Sequence, residues 1–184
     1  MKRRALMFAS LVFASLLLAL PARAENDLLS PTIQGDIIAT HNHWRSAVGT
    51  SPVVWADDLA SAAQQWADHL AAEKGCNMVH SSSSARQKTG ENLYWASPLR
   101  WSDGRLELQN VPGKKVVDAW GSEKNDYDEA SHRCAPGKVC GHYTQVVWHS
   151  TREVGCGKQQ CADLSQVWVC RYRPTGNWVG ERPY

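Results

Sequence analysis

The sequence predicts a single α+β domain that is stabilised by disulfides. Its N-terminal half carries apolar residues at helical spacing, and its C-terminal third contains Val, Thr, Trp and Tyr in runs of strand length. All six cysteines lie between Cys76 and Cys170. Helices followed by strands are typical of an α+β domain in which helices cover a sheet.

The N-terminus has the layout of a secretory signal peptide. Three basic residues at 2–4 precede an apolar run over 5–20, and the small-x-small triplet Ala22-Arg23-Ala24 follows. The apolar run is shorter than the roughly 20 residues that a membrane-spanning helix needs. We therefore expect cleavage after Ala24, no membrane span in the mature protein, and an extracellular location, or a periplasmic one in a Gram-negative bacterium.

Cleavage would leave 160 of the 184 residues, which suits one domain. We divide them into a polar lead-in over 25–34 and a domain over 35–184. Residues 1–24 contain four of the 20 Lys and Arg and none of the 18 Asp and Glu, so the formal charge falls from +2 to −2. Without a basic cluster, the mature chain lacks the charge pattern of a nucleic-acid binder, and we expect a monomer.

The cysteine count points to disulfides. An even number of cysteines in an exported chain predicts three disulfides, for which the sequence allows 15 pairings. A zinc cluster is the alternative, but the chain has no C-x-x-C motif and its compartment is oxidising. Disulfides are therefore the favoured interpretation.

Three helices are predicted in the N-terminal two thirds of the chain. The first runs from Asp36 to Gly49, with His41 on its apolar face and His43, two positions away, on the other side, which indicates packing and surface roles rather than a metal site. The second begins at Asp57 or Asp58 and stops at Gly75. The third covers about 115–124. Loops are predicted after Cys76 and over 96–114.

An antiparallel meander is predicted near the C-terminus. The segments "HYTQVVWHS", at 142–150, and "SQVWVCRYR", at 165–173, are rich in strand-forming residues. The segment "EVGCGKQ", at 153–159, is interpreted as the connection between them.

Five short motifs occur in an order that resembles one family. They are "HS" at 80–81, "GEN" at 90–92, "EKNDYD" at 123–128, "GHYTQVVW" at 141–148 and "YRPTGNW" at 172–178. In these motifs the chain is similar to the CAP superfamily of cysteine-rich secretory, antigen 5 and pathogenesis-related class-one proteins, and most of all to the plant pathogenesis-related branch. The resemblance covers about 33–184 and implies a three-layer α-β-α sandwich with an antiparallel central sheet and an extracellular place of action. Two departures are a longer segment over 94–115 and Arg171, where the plant proteins usually carry Asn.

The resemblance also implies a site. In the family, the residues matching His80, Glu91, Glu123 and His142 meet in one central cleft. Two imidazoles and two carboxylates suit a divalent ion such as Zn²⁺, acid–base chemistry with Glu91 and Glu123, or a structural polar network. We favour a metal site through both histidines in a non-catalytic binding protein. The alternative is a secreted hydrolase that uses the same cleft, with Ser81 as the candidate nucleophile.

Two further expectations follow from the resemblance. It implies disulfides between Cys76 and Cys156, between Cys134 and Cys140, and between Cys161 and Cys170. It allows a sterol or fatty acid on an aromatic surface of Tyr94, Trp95 and Trp101, although we favour the interpretation that these rings cover the edge of the core.

The tail "PTGNWVGERPY", at 174–184, resembles a C-terminal peptide that plant members of the family can release as a defence signal. No predicted disulfide holds anything beyond Cys170, so a protease could reach the tail. The alternative is a structural strap in which Trp178 packs onto the domain.

Overall fold

The computed structural model describes residues 29–184, so the predicted signal peptide at 1–24 lies outside the described residues. The helices are α1 (Pro31–Ser46), α2 (Asp57–Glu73), α3 (Ser83–Arg86), α4 (Gly113–Gly121) and α5 (Gly141–Val146), with a 3-10 helix at Ser122–Asp126. The strands are β1 (Val54–Trp55), β2 (Gly90–Ala96), β3 (Leu99–Arg100), β4 (Leu106–Glu107), β5 (Tyr127–Asp128), β6 (Arg133–Cys134), β7 (Glu153–Gln160) and β8 (Gln166–Arg173).

A four-stranded sheet forms the middle layer, in the order β1-β7-β8-β2. Strands β7, β8 and β2 pair antiparallel, and the short β1 adds a parallel edge to β7. Two small hairpins, β3–β4 and β5–β6, lie outside this sheet.

Helices cover both faces of the sheet, as the alternation of side chains along β8 shows. Val167 and Val169 point to one face and pack with Ala63, Ala67 and Leu70 of α2. On the other face, β8 contributes Trp168, Cys170 and Tyr172 to a larger core with residues of α1, α4 and α5. The predicted α-β-α sandwich is thus confirmed.

Helix α1 begins earlier than the sequence predicted. Its start at Pro31 lies inside the predicted lead-in, five positions before Asp36. The Ser30 hydroxyl accepts a hydrogen bond from the Ile33 amide, and proline suits a first helical turn because it has no N–H to leave unpaired. Further along, His41 is fully buried and His43 is exposed, as expected.

The second and third predicted helices are present with small shifts. Helix α2 starts at Asp57, and the left-handed Gly75 follows its end, with a φ of 55°. Helix α4 starts at Gly113 rather than at Lys115, and it continues as the 3-10 turn to Asp126.

The strand prediction for 142–150 was wrong, since α5 covers Gly141–Val146. Although these residues favour strands, Tyr143, Val146 and Val147 are buried together at helical spacing, and tertiary packing overrides propensity. The predicted connection is instead strand β7. Its two glycines are needed for close packing, because a Cβ at Gly155 would clash with the backbone of α2 at Ala60.

Two of the three expected disulfides were also wrong. The structure joins Cys76 to Cys161 and Cys156 to Cys170, and it keeps the expected Cys134–Cys140 pair. Cys76 packs on the α2 side of the sheet, whereas Cys156 packs on the opposite side, so the sheet separates them. Cys156 and Cys170 stand directly opposite each other in the β7–β8 register.

Among residues 29–184, no helix combines the length and the apolar character that crossing a membrane requires.

Candidate functional site

Two elements and two connecting segments carry the four predicted site residues. His80 lies in the loop after α2, and Glu91 is the second residue of β2. Glu123 lies in the 3-10 turn after α4, and His142 is in the first turn of α5. His80, Glu91 and His142 line one cleft of about 170 Å³, and Glu123 contacts His142. The structure therefore brings together all four residues that the resemblance implied.

His80 and Glu91 form the first imidazole–carboxylate pair. His80 Nδ1 lies 2.7 Å from Glu91 Oε1. Glu91 also accepts hydrogen bonds from the Ser81 amide at 3.0 Å and from the Ser81 hydroxyl at 2.8 Å. The Glu91 side chain is fully buried, whereas that of His80 is half exposed. Glu91 thus holds the imidazole by one nitrogen at the cleft wall.

A buried arginine balances the charge of Glu91. Arg171 Nη2 lies 3.2 Å from Glu91 Oε2, and the Arg171 side chain is 3% exposed. Burial by itself would raise the pKa of Glu91, but the hydrogen bond with His80, the charge of Arg171 and the Ser81 hydrogen bonds outweigh it and hold the pKa below its usual value. Glu91 is therefore a carboxylate at neutral pH.

His142 and Glu123 form the second pair at the start of α5. His142 Nδ1 lies 2.6 Å from Glu123 Oε1, while Glu123 Oε2 accepts hydrogen bonds from the amides of His142 and Tyr143 at 2.9 and 3.1 Å. The carboxylate thus satisfies two amides of the first helical turn as well as orienting the ring.

A buried hydrogen-bond chain supports the cleft from behind. Asn92 Nδ2 donates to the His142 carbonyl at 3.1 Å and to the Tyr172 hydroxyl at 3.2 Å. The Tyr172 hydroxyl in turn lies 3.0 Å from His41 Nε2, and His41 Nδ1 lies 2.8 Å from the Ile37 carbonyl. Since a carbonyl can only accept, His41 Nδ1 donates and its Nε2 accepts from Tyr172. The chain links α1, the sheet and α5.

The C-terminal tail closes one side of the cleft. Asn177 lines it, donates from Nδ2 to the Gly141 carbonyl at 2.7 Å, and accepts from the Thr144 hydroxyl at 2.7 Å. The tail is therefore part of the site wall.

The donor set fits a metal ion that two imidazoles hold. Both histidines bond their glutamates through Nδ1, and within residues 29–184 neither Nε2 has a hydrogen-bond partner. A carboxylate on one ring nitrogen is the usual support for a histidine that ligates metal through the other. The oxygens of both glutamates are already taken by these bonds, and the described residues hold no cluster of three or more His, Cys, Asp or Glu side chains arranged around a common point. Water or a bound ligand would have to complete such a shell.

The serine next to His80 is turned away from nucleophilic chemistry. The Ser81 hydroxyl donates to Glu91 Oε2, and the residue is 3% exposed. In the part of the chain that the structure describes, no serine hydroxyl is hydrogen-bonded to His80 or His142. The arrangement lacks the nucleophile–base contact of a serine hydrolase.

The three aromatic residues predicted as a lipid surface do not share one face. Tyr94 packs against the core on the side of α1, while Trp95, its neighbour on β2, is 43% exposed and lines a cavity of about 380 Å³ with Met78. Trp101 bonds Glu107 and carries the Arg105 guanidinium over its ring at 5.0 Å.

Sequence reasoning did not assign site roles to Arg171, Asn92 and Asn177. Asn92 and Asn177 belong to the quoted motifs "GEN" and "YRPTGNW", so the motifs contained a signal for them. Arg171 was noted only as a departure, since its carboxylate partner lies across the β2–β8 register.

Comparison with known proteins agrees with the fold. The model of the CAP family, the cysteine-rich secretory protein family, matches residues 38–172. A pathogenesis-related protein of PR-1 type from Sambucus nigra is 40% identical over 149 residues, which span 81% of this chain and 80% of that protein.

Two solved structures share the architecture. BmVAL-1 is 25% identical with a TM-score of 0.66, over 87% of this chain and 85% of its own. The structure of NaASP2 with Zn²⁺ is 22% identical with a TM-score of 0.64, over 87% and 88%. The sandwich and its disulfides define a domain of the kind that secreted proteins use. The chain belongs to the CAP family, and its curated relatives are of PR-1 type.

Proposed function

We propose that the protein is an extracellular PR-1-type binding protein, of the kind that acts in defence or at a host surface, and that its cleft binds a divalent ion such as Zn²⁺ through His80 and His142. The predicted signal peptide and the three disulfides support export. When bound, the ion would supply a positively charged coordination centre for an oxygen- or nitrogen-bearing ligand.

One observation carries the metal proposal: each imidazole bonds a carboxylate through Nδ1 and lines the same cleft. A structural network would also pair each histidine with a glutamate, but it gives no reason for two such pairs to face one solvent-accessible cleft. The zinc-bound structure of NaASP2, whose fold this chain shares, supports the choice of ion.

Binding is preferred over catalysis because of Ser81, whose hydroxyl is committed to Glu91. No contact in the cleft favours the hydrolase alternative. Sterol or fatty-acid binding stays a prediction. We place such a lipid in the cavity beside Trp95 and Met78, because Tyr94 and Trp101 do not line that cavity.

Calorimetric titration with zinc tests the metal proposal. The wild-type protein is expected to bind one ion, and His80→Ala or His142→Ala to weaken binding at least tenfold. His43→Ala, which removes an exposed imidazole from α1, is the matched control and should bind like wild type. Affinity should also fall on acidification, because protons compete for the imidazoles. Equal binding by wild type and the His80→Ala/His142→Ala double variant would overturn the proposal.

A further inference from the structure

A second cavity lies on the α2 side of the molecule, and its lining includes neither His80 nor His142. It has a volume of about 410 Å³ and lies between α2, the segment 85–89 and the end of β8. Three arginines line it, namely Arg86, Arg171 and Arg173, against a single acidic residue, Asp58. The lining therefore has an excess of positive charge in a chain whose mature form is formally acidic.

The three guanidinium groups differ in how well they are paired. Arg173 is neutralised, since it bonds Asp58 through both terminal nitrogens and Glu153 through Nε. Arg86 forms no ion pair with any residue of 29–184. Arg171 is paired with Glu91 through Nη2 alone, so the unpaired charge of the cavity belongs to Arg86.

Arg171 has two hydrogen-bond donors without a partner. Its Nη2 faces Glu91, but Nε and Nη1 are buried and bond nothing within the described residues. Donors of a charged group that are buried and unpaired destabilise the protein. Burial lowers the pKa of Arg171, the charge of Glu91 opposes this change, and the like charge of Arg86 adds to it. An anion beside Nε and Nη1 of Arg171 would accept hydrogen bonds from these donors. Its negative charge would also offset the repulsion between Arg171 and Arg86.

The segment that carries Arg86 is lightly held. Helix α3 is a single turn in which no residue is buried. Gln87 and Lys88 follow in left-handed conformations, with φ of 49° and 66°, which non-glycine residues rarely adopt. Because Nε and Nη1 of Arg171 are closed off from solvent, a wall of the cavity must shift for a ligand to reach them. The Arg86 segment is the wall suited to such a shift, because no residue of its helix is buried.

The opposite wall is aromatic. The rings of Trp66 and His69 stack with centroids 4.6 Å apart, and the Trp66 indole is fixed by a hydrogen bond to the Val79 carbonyl. Both residues line the cavity. Such a wall suits the flat body of a small molecule rather than a bare ion.

We propose that this cavity is a binding site for a small ring-bearing oxyanion, a phosphate or carboxylate, whose charged group binds between Arg86 and Arg171 and whose ring packs on Trp66. Arginine suits this role because its planar guanidinium donates two parallel hydrogen bonds to such groups. The site adjoins the histidine cleft at two points, because Arg171 pairs with Glu91 and because Arg86 also lines a neighbouring cavity with His80 and Glu91.

The test uses the full mature protein, with EDTA present so that the histidine cleft cannot contribute through a metal. Phenyl phosphate, phenylacetate and inorganic phosphate are titrated while backbone amide NMR signals are followed. At least one of the two ring-bearing probes is expected to shift the signals of 85–89 and of β8 saturably, and to bind at least threefold more tightly than inorganic phosphate.

Three variants separate a built site from general attraction. Arg86→Gln should weaken binding at least fivefold, whereas Lys88→Gln, which removes an exposed charge two positions away that does not line the cavity, should change it less than twofold. Trp66→Leu should remove the preference for ring-bearing probes, and circular dichroism checks that it folds. Equal effects of Arg86→Gln and Lys88→Gln, or no saturable shift with any probe, would overturn the proposal.

Discussion

Arg171 Nη2 lies 3.2 Å from Glu91 Oε2, and both side chains are buried. Glu91 belongs to the histidine cleft and Arg171 to the arginine-lined cavity, so one ion pair is the common wall of both sites. The β2–β8 register fixes this pair, because Glu91 stands directly opposite Arg171 in the ladder. Glu91, which belongs to the motif "GEN", thereby pairs with Arg171, which lies outside the five motifs.

Breaking this pair should be costly. Glu91→Gln removes the charge but keeps the shape, which leaves a buried arginine without its partner, and we expect a loss of about 3 kcal/mol in the free energy of unfolding at pH 7. Urea denaturation measures it. Glu181→Gln, at an exposed position of the tail, is the control and should lie within about 0.5 kcal/mol of wild type.

The pH dependence of that loss has a definite sign. Folding lowers the pKa of Glu91, so its contribution is present above the unfolded value, about 4.3, and disappears as the pH falls through the folded value. The difference between wild type and Glu91→Gln should therefore narrow below about pH 4.3. A constant difference down to pH 2 would contradict the assignment.

His41 should make the protein sensitive to milder acid. Burial lowers its pKa from 6.5 to about 4, although the hydrogen bond to the Ile37 carbonyl opposes the change, and the charge of Arg45 adds to it. A neutral buried imidazole stabilises the fold above the unfolded pKa, so stability should fall by about 3 kcal/mol between pH 6.5 and 4.

The His41→Phe variant isolates this effect in urea denaturation. It leaves the Tyr172 hydroxyl without its acceptor and should be less stable than wild type at pH 7. Its stability should nevertheless vary less than that of wild type between pH 6.5 and 4, because the titrating group is gone. An identical slope in the two proteins would mean that other groups cause the acid sensitivity.

The disulfides should differ in their contributions according to the loop that each closes. The Cys76–Cys161 bond spans 85 residues and the Cys134–Cys140 bond only 6. In the chain-entropy model, replacing both cysteines by serine should cost about 4–5 kcal/mol for the first pair and about 2 kcal/mol for the second. Thermal denaturation of the two double variants compares them. Peptide mapping without reduction checks the pairing itself, and a Cys76–Cys156 peptide would refute the structure.

The elements that sequence predicted well are those whose signal is local. The apolar spacing of α2 lies within the helix and its terminating Gly75 lies directly after it, so both signals can be read from the local sequence. The prediction failed where tertiary packing decided the outcome. Gly155 looked like part of a turn but serves the close approach of β7 to α2, and the strand-forming residues of α5 are held in a helix by burial.

The site shows the same division. The motifs predicted which imidazoles and carboxylates meet, because these residues occur in short segments of recognisable order. The motifs could not predict that Arg171 forms an ion pair with Glu91, or on which side of the sheet each cysteine lies. The Arg171–Glu91 pair depends on the register of the strands, and the position of each cysteine depends on the face of the sheet to which it points. Because a strand was predicted at 142–150 in place of β7, neither the register nor the faces could be predicted correctly.

The C-terminal tail should resist release at its start. The Arg173 carbonyl accepts a hydrogen bond from the Arg152 amide, and the Pro174 carbonyl accepts one from the Thr151 hydroxyl. At the far end, the Pro183 carbonyl accepts from the His149 amide at 2.6 Å, and the Tyr184 hydroxyl bonds that of Tyr143. Trp178, which was expected to hold the tail as a strap, is 57% exposed. The contacts at the two ends of the tail therefore support a strap that other residues hold in place.

Digestion of the folded protein with a protease of broad specificity, followed by mass spectrometry, tests this view. Early cuts are expected within the exposed stretch 178–182, with the bond between Arg173 and Pro174 protected until global unfolding. Tyr184→Ala should speed cleavage because it frees the far end, whereas Trp178→Ala should not loosen the tail. Since Asn177 lines the histidine cleft, release at Pro174 would also remove one wall of that cleft, and a cleaved protein should bind zinc more weakly. Selective early cleavage at Arg173–Pro174 in the wild-type protein would instead show that the tail is built to be released as a peptide.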